Sequence, residues 1–599
     1  MQSTLDEITS RVRTALAALG AGGDPQVRAA QEEKFGDYQC NCAMGLAKQR
    51  GKKPRDVAEA LVARMKIEDL CDPPEIAGPG FINLRLKTSY LEKTLSSIPP
   101  CADPEADRLG LAPTRRPQTV VVDLSSPNLA KEMHVGHLRS TVIGDCLCRV
   151  LEFEGHTVHR ENHVGDWGTQ FGMLVAYLHA VRPDVAERPD ELHIQDMESF
   201  YVEAKARFDA DEPFRTEARE TVVKLQKGDP TTRRIWKAFC DESLRHCHAI
   251  YDRLGVRLTD RGESVYTELM EEVCARLERR CQNDDTSLVR ISEGALCVFP
   301  QGFKTREGDA LPLIVRKSDG GYNYATSDLA TILHRVEALG ARRIIYVVGL
   351  PQKLHFEMLF AAVKALGWVG DEVALEHVGF GSMLGADGRP FKTREGGTVK
   401  LKSLLDEAVA RARAVVERVG DDDHPRPRDL TPAQREEIAE RVGIASIKYF
   451  DLSHALNTDY RFDWDTMLSL EGNTAPYMLY AYARIRSIGR KGGVDFTDLP
   501  ADAPIRLEQP VEIALARQLV RFAETLDGVA RDLKPNLLTD YLFQLSKAFS
   551  RFYDKKLGVR VIDATPEDVR TSRLRLCDLT ARVLRRGLGM LGIDTVEQM

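Results

Sequence analysis

The sequence has no stretch approaching roughly eighteen consecutive apolar residues, which argues against a membrane-spanning helix. It has no surplus of positive charge either. Ninety Asp and Glu against 83 Lys and Arg leave a net charge of -7 over 599 residues. Such a balance cannot hold nucleic acid by bulk charge, so any such contact has to use local basic patches. Matched cysteine pairs are also lacking. The 12 cysteines are scattered, and Cys40/Cys42 and Cys146/Cys148 have C-x-C spacing without the second pair of a zinc knuckle. Reduced thiols in a cytoplasmic enzyme are expected, with no metal site. No repeat of about 20 to 50 residues is present, which excludes a solenoid. The N-terminus does not read as a leader. Asp6 and Glu7 are wrong for one, and Leu5, Ile8, Val12, Leu16 and Leu19 recur at helical spacing.

What is present is ordinary for a soluble globular chain: 43% hydrophobic and 29% charged residues. At roughly 150 residues per domain the length predicts three to five domains. The first unit, residues 1–105, ends in a hairpin-like segment, Ile76 to Leu84. A linker rich in proline follows (Pro99, Pro100, Pro104, Pro113 and Pro117). A second unit, about 106–425, opens on Thr119-Val120-Val121-Val122-Asp123-Leu124, a β-branched run suited to a buried parallel strand. Further strands are predicted at Thr157–Asn162, Ile344–Gly349 and Leu375–Phe380, separated by helical patterns such as Phe356–Leu366. That alternation implies βαβ units and a Rossmann-like, doubly wound parallel sheet, with a mostly polar helical insertion at about 175–300. After the charged, proline-rich stretch Asp421–Pro427, residues 426–599 read as helix after helix. Arg570, Arg573, Arg582, Arg585 and Arg586 recur near helical spacing there, as a solvated face or a phosphate-contacting one. The expected fold is a multidomain α/β chain with an α+β N-terminal domain and an all-α C-terminal domain.

The chemistry concentrates in Asp123 to Ser140. This segment runs from a strand through a Pro-Asn turn into a helix beginning near Gly136. A helix start there offers free N–H groups and a positive dipole end to a phosphate. Gly136 lacks a Cβ, so a nucleobase or ribose can lie on the backbone. His134 and His137 can donate hydrogen bonds to phosphoryl oxygens as charge builds. The same His-x-x-His spacing is half a metal site, but no Glu or third His lies in register nearby. Two histidines flanking a glycine at a strand-to-helix turn favour nucleotide binding.

His134-Val135-Gly136-His137 resembles the signature of class I aminoacyl-tRNA synthetases. The flanking Ser125-Ser126-Pro127-Asn128-Leu129-Ala130-Lys131 and Leu138-Arg139-Ser140-Thr141 are similar to arginyl-tRNA synthetases in particular. The resemblance continues through His163–Gly172, Tyr322–Asp328, Gly472–Tyr477 and the terminal Gly592–Met599, and so spans the whole chain. It implies ATP-dependent activation of L-arginine and transfer to the terminal adenosine of tRNA(Arg), with Mg²⁺ accompanying the ATP phosphates. A monomer is also implied, as is an all-α anticodon-binding domain.

The resemblance assigns arginine binding to Asp123, Asn128, Tyr324, Asp328 and Gln352. Chemistry agrees on one point, since a guanidinium fork needs carboxylate oxygens. Tyr324 and Asp328, four apart, share a helix face. ATP contacts are expected from His134, Gly136, His137, Lys131, Lys392 and Arg394, with His134, His137, Lys131 and Lys392 catalytic. The second class signature departs here. Gly388–Thr398 is a basic, Gly-rich loop with Glu395 where a lysine is usual, and the resemblance implies that Lys131 compensates. Contacts with tRNA are expected at Phe81 and Asn83, which match positions that stack on and hydrogen-bond an unpaired base, and at Tyr477 and Met599 near the anticodon. Two competing readings are a class I synthetase for another amino acid, which has no need of Asp328 facing Tyr324, and a catalytically silent RNA-binding paralogue.

Overall fold

The computed structural model describes residues 3–599 apart from 189–191, 193, 195–196, 284–287, 390, 392–398, 419–429, 555 and 557–558. The expected linker at 421–427, and Lys392 and Arg394 of the basic loop, therefore lie outside the described residues.

The N-terminal segment starts with helix α1 (Thr4–Ala18), where the Ser3 hydroxyl accepts the Asp6 N–H at 3.3 Å and Ile8, Val12 and Leu16 face inward. Strands β1 (Val27–Ala29), β2 (Tyr38–Cys40), β3 (Glu75–Ala77) and β4 (Phe81–Leu84) make an antiparallel sheet of order β1-β2-β4-β3. Helices α2 (Cys42–Arg50), α3 (Pro54–Val62) and α4 (Thr88–Ser96) complete the segment. Strand alternation buries Tyr38, Cys40, Ile82 and Leu84. The opposite face carries Arg28, Gln39 and Asn83, aligned across three strands.

The second segment holds the parallel sheet that the sequence predicts, with the four expected strands and a fifth, Thr259–Gly262, that it does not signal. Its strands are β5 (Thr119–Asp123), β6 (Thr157–Val164), β7 (Thr259–Gly262), β11 (Arg343–Gly349) and β12 (Ala374–Phe380), in the order β12-β11-β5-β6-β7. Helix α5 (Val135–Glu154) links β5 to β6. The stretch after β6 is helical as expected, with α6 (Thr169–Val181), α7 (Pro183–Glu187), α8 (Met197–Ala210), α9 (Glu212–Gln226) and α10 (Pro230–Leu254). It is not wholly an insertion, because β7 joins the main sheet as an edge strand. After α11 (Thr267–Asn283), β8 (Val289–Ser292), β9 (Ala295–Val298) and β10 (Leu313–Arg316) form a small antiparallel sheet. Helix α12 (Tyr324–Glu337) then precedes β11, and α13 (Lys353–Ala365) separates β11 from β12. Val120, Val121 and Val122 of β5 are fully buried. Each such side chain stabilises the core by roughly 1.5–3 kcal/mol.

Beyond the short strands β13 (Met383–Leu384) and β14 (Tyr460–Arg461) the chain is helical: α14 (Leu401–Arg418), α15 (Pro432–Leu452), α16 (Trp464–Met467), α17 (Ala475–Lys491), α18 (Pro510–Val520), α19 (Phe522–Asp532), α20 (Asn536–Phe552) and α21 (Glu567–Met590). Four of the five arginines in the row on α21 meet partners inside the fold, and Arg585 is half-buried. Arg573 is buried against Glu512 at 2.7 Å. Arg582 is buried against Asp107 at 2.7 and 2.9 Å. Arg570 and Arg586 donate to the backbone carbonyls of Ile562 and Asp107. A buried guanidinium is stable only when its N–H groups are paired, and these cations are committed within the fold.

Two compact units result. Met1–Pro113, Ala412–Ser453 and Thr466–Met599 form one, and Thr114–Arg411 with His454–Asp465 the other. Within the first, the N-terminal segment is tied to the helices by the Arg582–Asp107 pair and by Tyr38, whose hydroxyl donates to Glu524 at 2.7 Å.

Candidate active site

Strand order sets the position of the site. From the central β5 the chain first builds outward through β6 and β7, then returns to lay β11 and β12 on the other side. A crevice opens at the carboxyl ends where direction reverses, between β5 and β11. A cleft of about 860 Å³ lies there, lined by residues of β5, the start of α5, the start of α12 and the β11–α13 turn. The backbone leaving β5 is strained. Ser125 and Ser126 both have left-handed φ, 69° and 51°. Their amides are held by Ser140 Oγ (2.8 Å) and Asn162 Oδ1 (2.9 Å), so the turn that presents Asn128 is fixed from beneath.

Both predicted histidines line the cleft at the start of α5. His134 is the N-cap, and its Nδ1 accepts the Gly136 N–H at 3.0 Å. His137 Nδ1 accepts the His134 N–H at 3.1 Å. With each Nδ1 accepting, each ring carries its proton on Nε2 as a donor. Burial pushes His137 down to about 3 and also lowers His134, where the Glu198 carboxylate works against the shift and the Lys131 ammonium adds to it. The pair is therefore neutral at physiological pH. Gly136 lines the cleft as expected, with a further reason for being glycine. A Cβ there would stand 2.7 Å from His134 Cε1 and 2.9 Å from its Nδ1. The glycine makes room for the histidine ring before any ligand arrives.

Tyr324 and Asp328 also line the cleft, from the first turns of α12, with Tyr324 76% exposed. Asp328 Oδ2 lies 2.6 Å from His355 Nε2, which holds the His355 imidazole above its usual range. Glu263, at the end of β7, lines the same cleft. Burial, with the charges of Asp328 and Asp166, pushes its carboxyl up to about 7. Glu263 and His355 are not among the residues that sequence reasoning picked out. They come from other elements than α12, His355 from the next helix and Glu263 from the end of β7, and no spacing signals them. Asn128 and Gln352 are exposed at the cleft, on the β5 turn and in the 3₁₀ turn Leu350–Gln352.

Asp123 reaches the cleft floor, but its carboxylate is already engaged. Oδ2 accepts from Arg335 Nη2 at 2.7 Å and Oδ1 from the Ser126 hydroxyl at 2.8 Å. Arg335, fully buried on α12, also donates to Glu161 on β6 at 2.7 Å. Asp123 thus fastens α12 across two strands while it lines the floor of the cleft. Lys131 is exposed and absent from the cleft lining, with its ammonium 4.8 Å from the Tyr201 ring centroid. Residues 390 and 392–398 of the basic loop are outside the described residues, and its far flank is anchored at the site: Val399 carbonyl accepts the Val135 N–H at 3.1 Å.

Of the residues expected to meet RNA, Phe81 is half-buried with its ring folded over Gly78, and Asn83 Oδ1 accepts from Gln39 Nε2 at 2.8 Å. Tyr477 is half-buried at the start of α17, its ring edge-on to Phe543, with the Lys547 ammonium over that ring. Met599 is packed into the interior with 6% exposure, so an RNA contact through its side chain is not supported.

Comparison with known proteins matches three family models in order. These are the Arginyl tRNA synthetase N terminal domain over residues 6–86, tRNA synthetases class I (R), catalytic domain, over 106–464, and the DALR anticodon binding domain over 478–599. The chain is 50% identical to an arginine–tRNA ligase of a Nostoc species and 49% identical to one of Synechococcus elongatus, each comparison covering 100% of both chains. Among solved structures it is similar to arginyl-tRNA synthetase of Plasmodium falciparum, at 30% identity and a TM-score of 0.84. It is also similar to that of Thermus thermophilus, at 25% identity and 0.78. Both comparisons cover 100% of each chain.

Proposed function

The chain belongs to the class I arginyl-tRNA synthetases and is an arginine–tRNA ligase that uses ATP, and from that premise we propose which side chains carry the reaction. The carrying observation is one cleft with two kinds of equipment: paired neutral imidazoles with Nε2–H donors, and carboxyl groups at Asp328 and Glu263. In the first step the arginine carboxylate attacks the α-phosphate of ATP, and pyrophosphate leaves. In the second the 2′-hydroxyl of the terminal tRNA adenosine attacks the activated carbonyl, and AMP leaves. His134 and His137 donate to phosphoryl oxygens as charge shifts onto them. Asp328, oriented by His355, and Glu263 take the guanidinium beside Tyr324. Asn128 and Gln352 take its amino and carboxylate end. Lys131, Lys392 and Arg394 are assigned to the ATP phosphates. Among the described residues no group of three or more His, Cys, Asp or Glu is placed to hold a metal, so Mg²⁺ is assigned to the nucleotide and not to a protein cage.

Residues 1–105, with Phe81 and Asn83, are taken as the D-loop-reading module, 106–425 as the catalytic one, and 426–599, with Tyr477 beside Phe543 and Lys547, as the anticodon-binding one. A cytoplasmic monomer is the proposed setting. In support of the compartment, the twelve cysteines are free thiols and no helix among the described residues is long and apolar enough to cross a membrane. The direct test is charging of total tRNA with each radiolabelled amino acid in turn, with ATP and Mg²⁺. Arginine-specific charging is expected, and charging with another amino acid would refute the arginine pocket.

Glu263 gives a pH test of the pocket. Its carboxyl, raised to about 7 when the site is empty, ionises on meeting a guanidinium, so arginine binding releases up to one proton near neutrality. Affinity for arginine is expected to rise as pH increases from 6 to 8. Calorimetry in two buffers of different ionisation enthalpy should show the release, and E263Q should abolish it. The linkage has a sign in the free protein too. A carboxyl raised above its unfolded value of about 4.3 lends stability at low pH that is lost as pH climbs through 7.

A further inference from the structure

A chain of net charge -7 has to meet a polyanion through a local patch, and in the arginine row on α21, the most evident candidate by sequence, four of the five side chains are spent on internal partners. A different patch is free to act. Lys48-Gln49-Arg50-Gly51-Lys52-Lys53-Pro54-Arg55 carries five cations and no anion in eight consecutive residues, and all five are exposed. The fold concentrates them. Gly51 ends α2 in the left-handed conformation, φ 63°, and Pro54 opens α3 three residues later, so Lys52 and Lys53 stand in a tight turn between two helices. Arg50 is tied to the Leu19 carbonyl at 2.8 Å, and Arg55 lies 3.5 Å from Glu59. Lys53 is the N-cap of α3 and makes no side-chain cap, which leaves the helix's first N–H groups and its positive dipole end beside the lysines.

The turn lies against the segment that carries Phe81. In the β3–β4 hairpin, Gly80 sits so close to α3 that an added Cβ would be 3.0 Å from the Pro54 carbonyl oxygen. Phe81 follows directly, half-buried, on the sheet face that also carries exposed Arg28, half-buried Gln39 and, beneath them, the buried Asn83. An aromatic ring and paired amides next to a strip of exposed lysines is the combination that holds an unpaired nucleotide together with its backbone.

We propose that the α2–α3 turn, chiefly Lys48, Lys52 and Lys53, is a phosphate-binding strip for the ribose-phosphate backbone of the tRNA whose base the Phe81–Asn83 face receives. This rests on the tRNA-ligase reading and adds a surface to it. Charge here fixes position without reading sequence, while the sheet face reads the base.

The test is K52E/K53E, both at exposed positions, with K52R/K53R as the charge-conserving control. In charging assays the KM for tRNA should rise roughly 10-fold or more, with the KM for arginine unchanged. The slope of log KM against log salt should become shallower by about one for each phosphate that the strip no longer neutralises. The arginine control should behave as wild type. An unchanged tRNA KM and salt slope in K52E/K53E would overturn the proposal, as would an equal loss in K52R/K53R. Failure of the wild-type chain itself to charge tRNA would instead overturn the reading on which the proposal rests.

Discussion

Asp328→Asn is expected to reduce kcat/KM for arginine by roughly 10² to 10³, through KM more than kcat, and to leave the KM for ATP in place. The substitution keeps the size of the side chain and removes its charge. Asp328 stands on the cleft side of α12, with one oxygen 2.6 Å from His355 Nε2 and 20% of its side chain exposed. Breaking a partly desolvated, charge-assisted pair costs about 3–4 kcal/mol, which is two to three decades. The loss falls on KM because the guanidinium is remote from the reacting carboxylate and is held equally in ground and transition states. Glu263→Gln should cost less, about tenfold, since Glu263 is already near half-protonated at neutral pH and its amide keeps the shape of the neutral form. A second signature belongs to Asp328 alone. His355 is held above its usual range by that carboxylate, so in Asp328→Asn the imidazole should titrate lower, readable by NMR. An unchanged arginine KM in Asp328→Asn would mean that the guanidinium is read elsewhere in the cleft.

How far this pocket was legible follows from what sequence spacing encodes. The parallel strands β5 and β11 were readable because a strand buried on both faces is a run of β-branched residues, whereas β6 and β12 are more polar and only partly buried and were placed by the helical patterns that separate them. β7, Thr259-Asp260-Arg261-Gly262, is a polar edge strand and has no such run. The histidine pair was readable because an N-cap is local: both rings are fixed by amides within three residues. Partnerships across the chain leave no local trace. Asp123 was expected at a substrate, yet its partner Arg335 lies 212 residues on. The α21 arginines had helical spacing, but what decides their role is Asp107, 475 residues before Arg582, and Glu512. Glu263 and His355 escaped for the same reason. The family resemblance supplied five arginine-binding positions, and the structure adds two side chains that set the charge state of the pocket.

The other large effect is expected at the imidazole pair, and it separates donor loss from misplacement. His137→Asn keeps an acceptor near the position of Nδ1, so the His134 N–H can stay satisfied, but it removes the Nε2–H donor. Loss of one preorganised donor to a developing phosphoryl charge costs roughly 10² to 10³ in kcat. Because that donor is needed only as charge develops, the KM for arginine should hardly move, the reverse of Asp328→Asn. His137→Gln extends an amide toward the Nε2 position and should recover part of the loss. Gly136→Ala leaves both rings in the sequence but sets a methyl 2.7 Å from His134 Cε1, and so swings that ring off its amide. A kcat falling toward that of His137→Asn would show that ring placement, more than the presence of a histidine, carries the effect. Stability against pH gives an independent check. His137, pushed down to about 3 by burial, is neutral in the folded chain while its unfolded form titrates near 6.5. The stability it contributes is complete above about 6.5 and is lost as pH falls toward 3. His137→Asn has no group to protonate there, so its melting temperature should fall less steeply than that of the wild type between pH 6.5 and 4. Parallel curves would place a charged imidazole in the folded site and remove the basis for treating the pair as neutral donors.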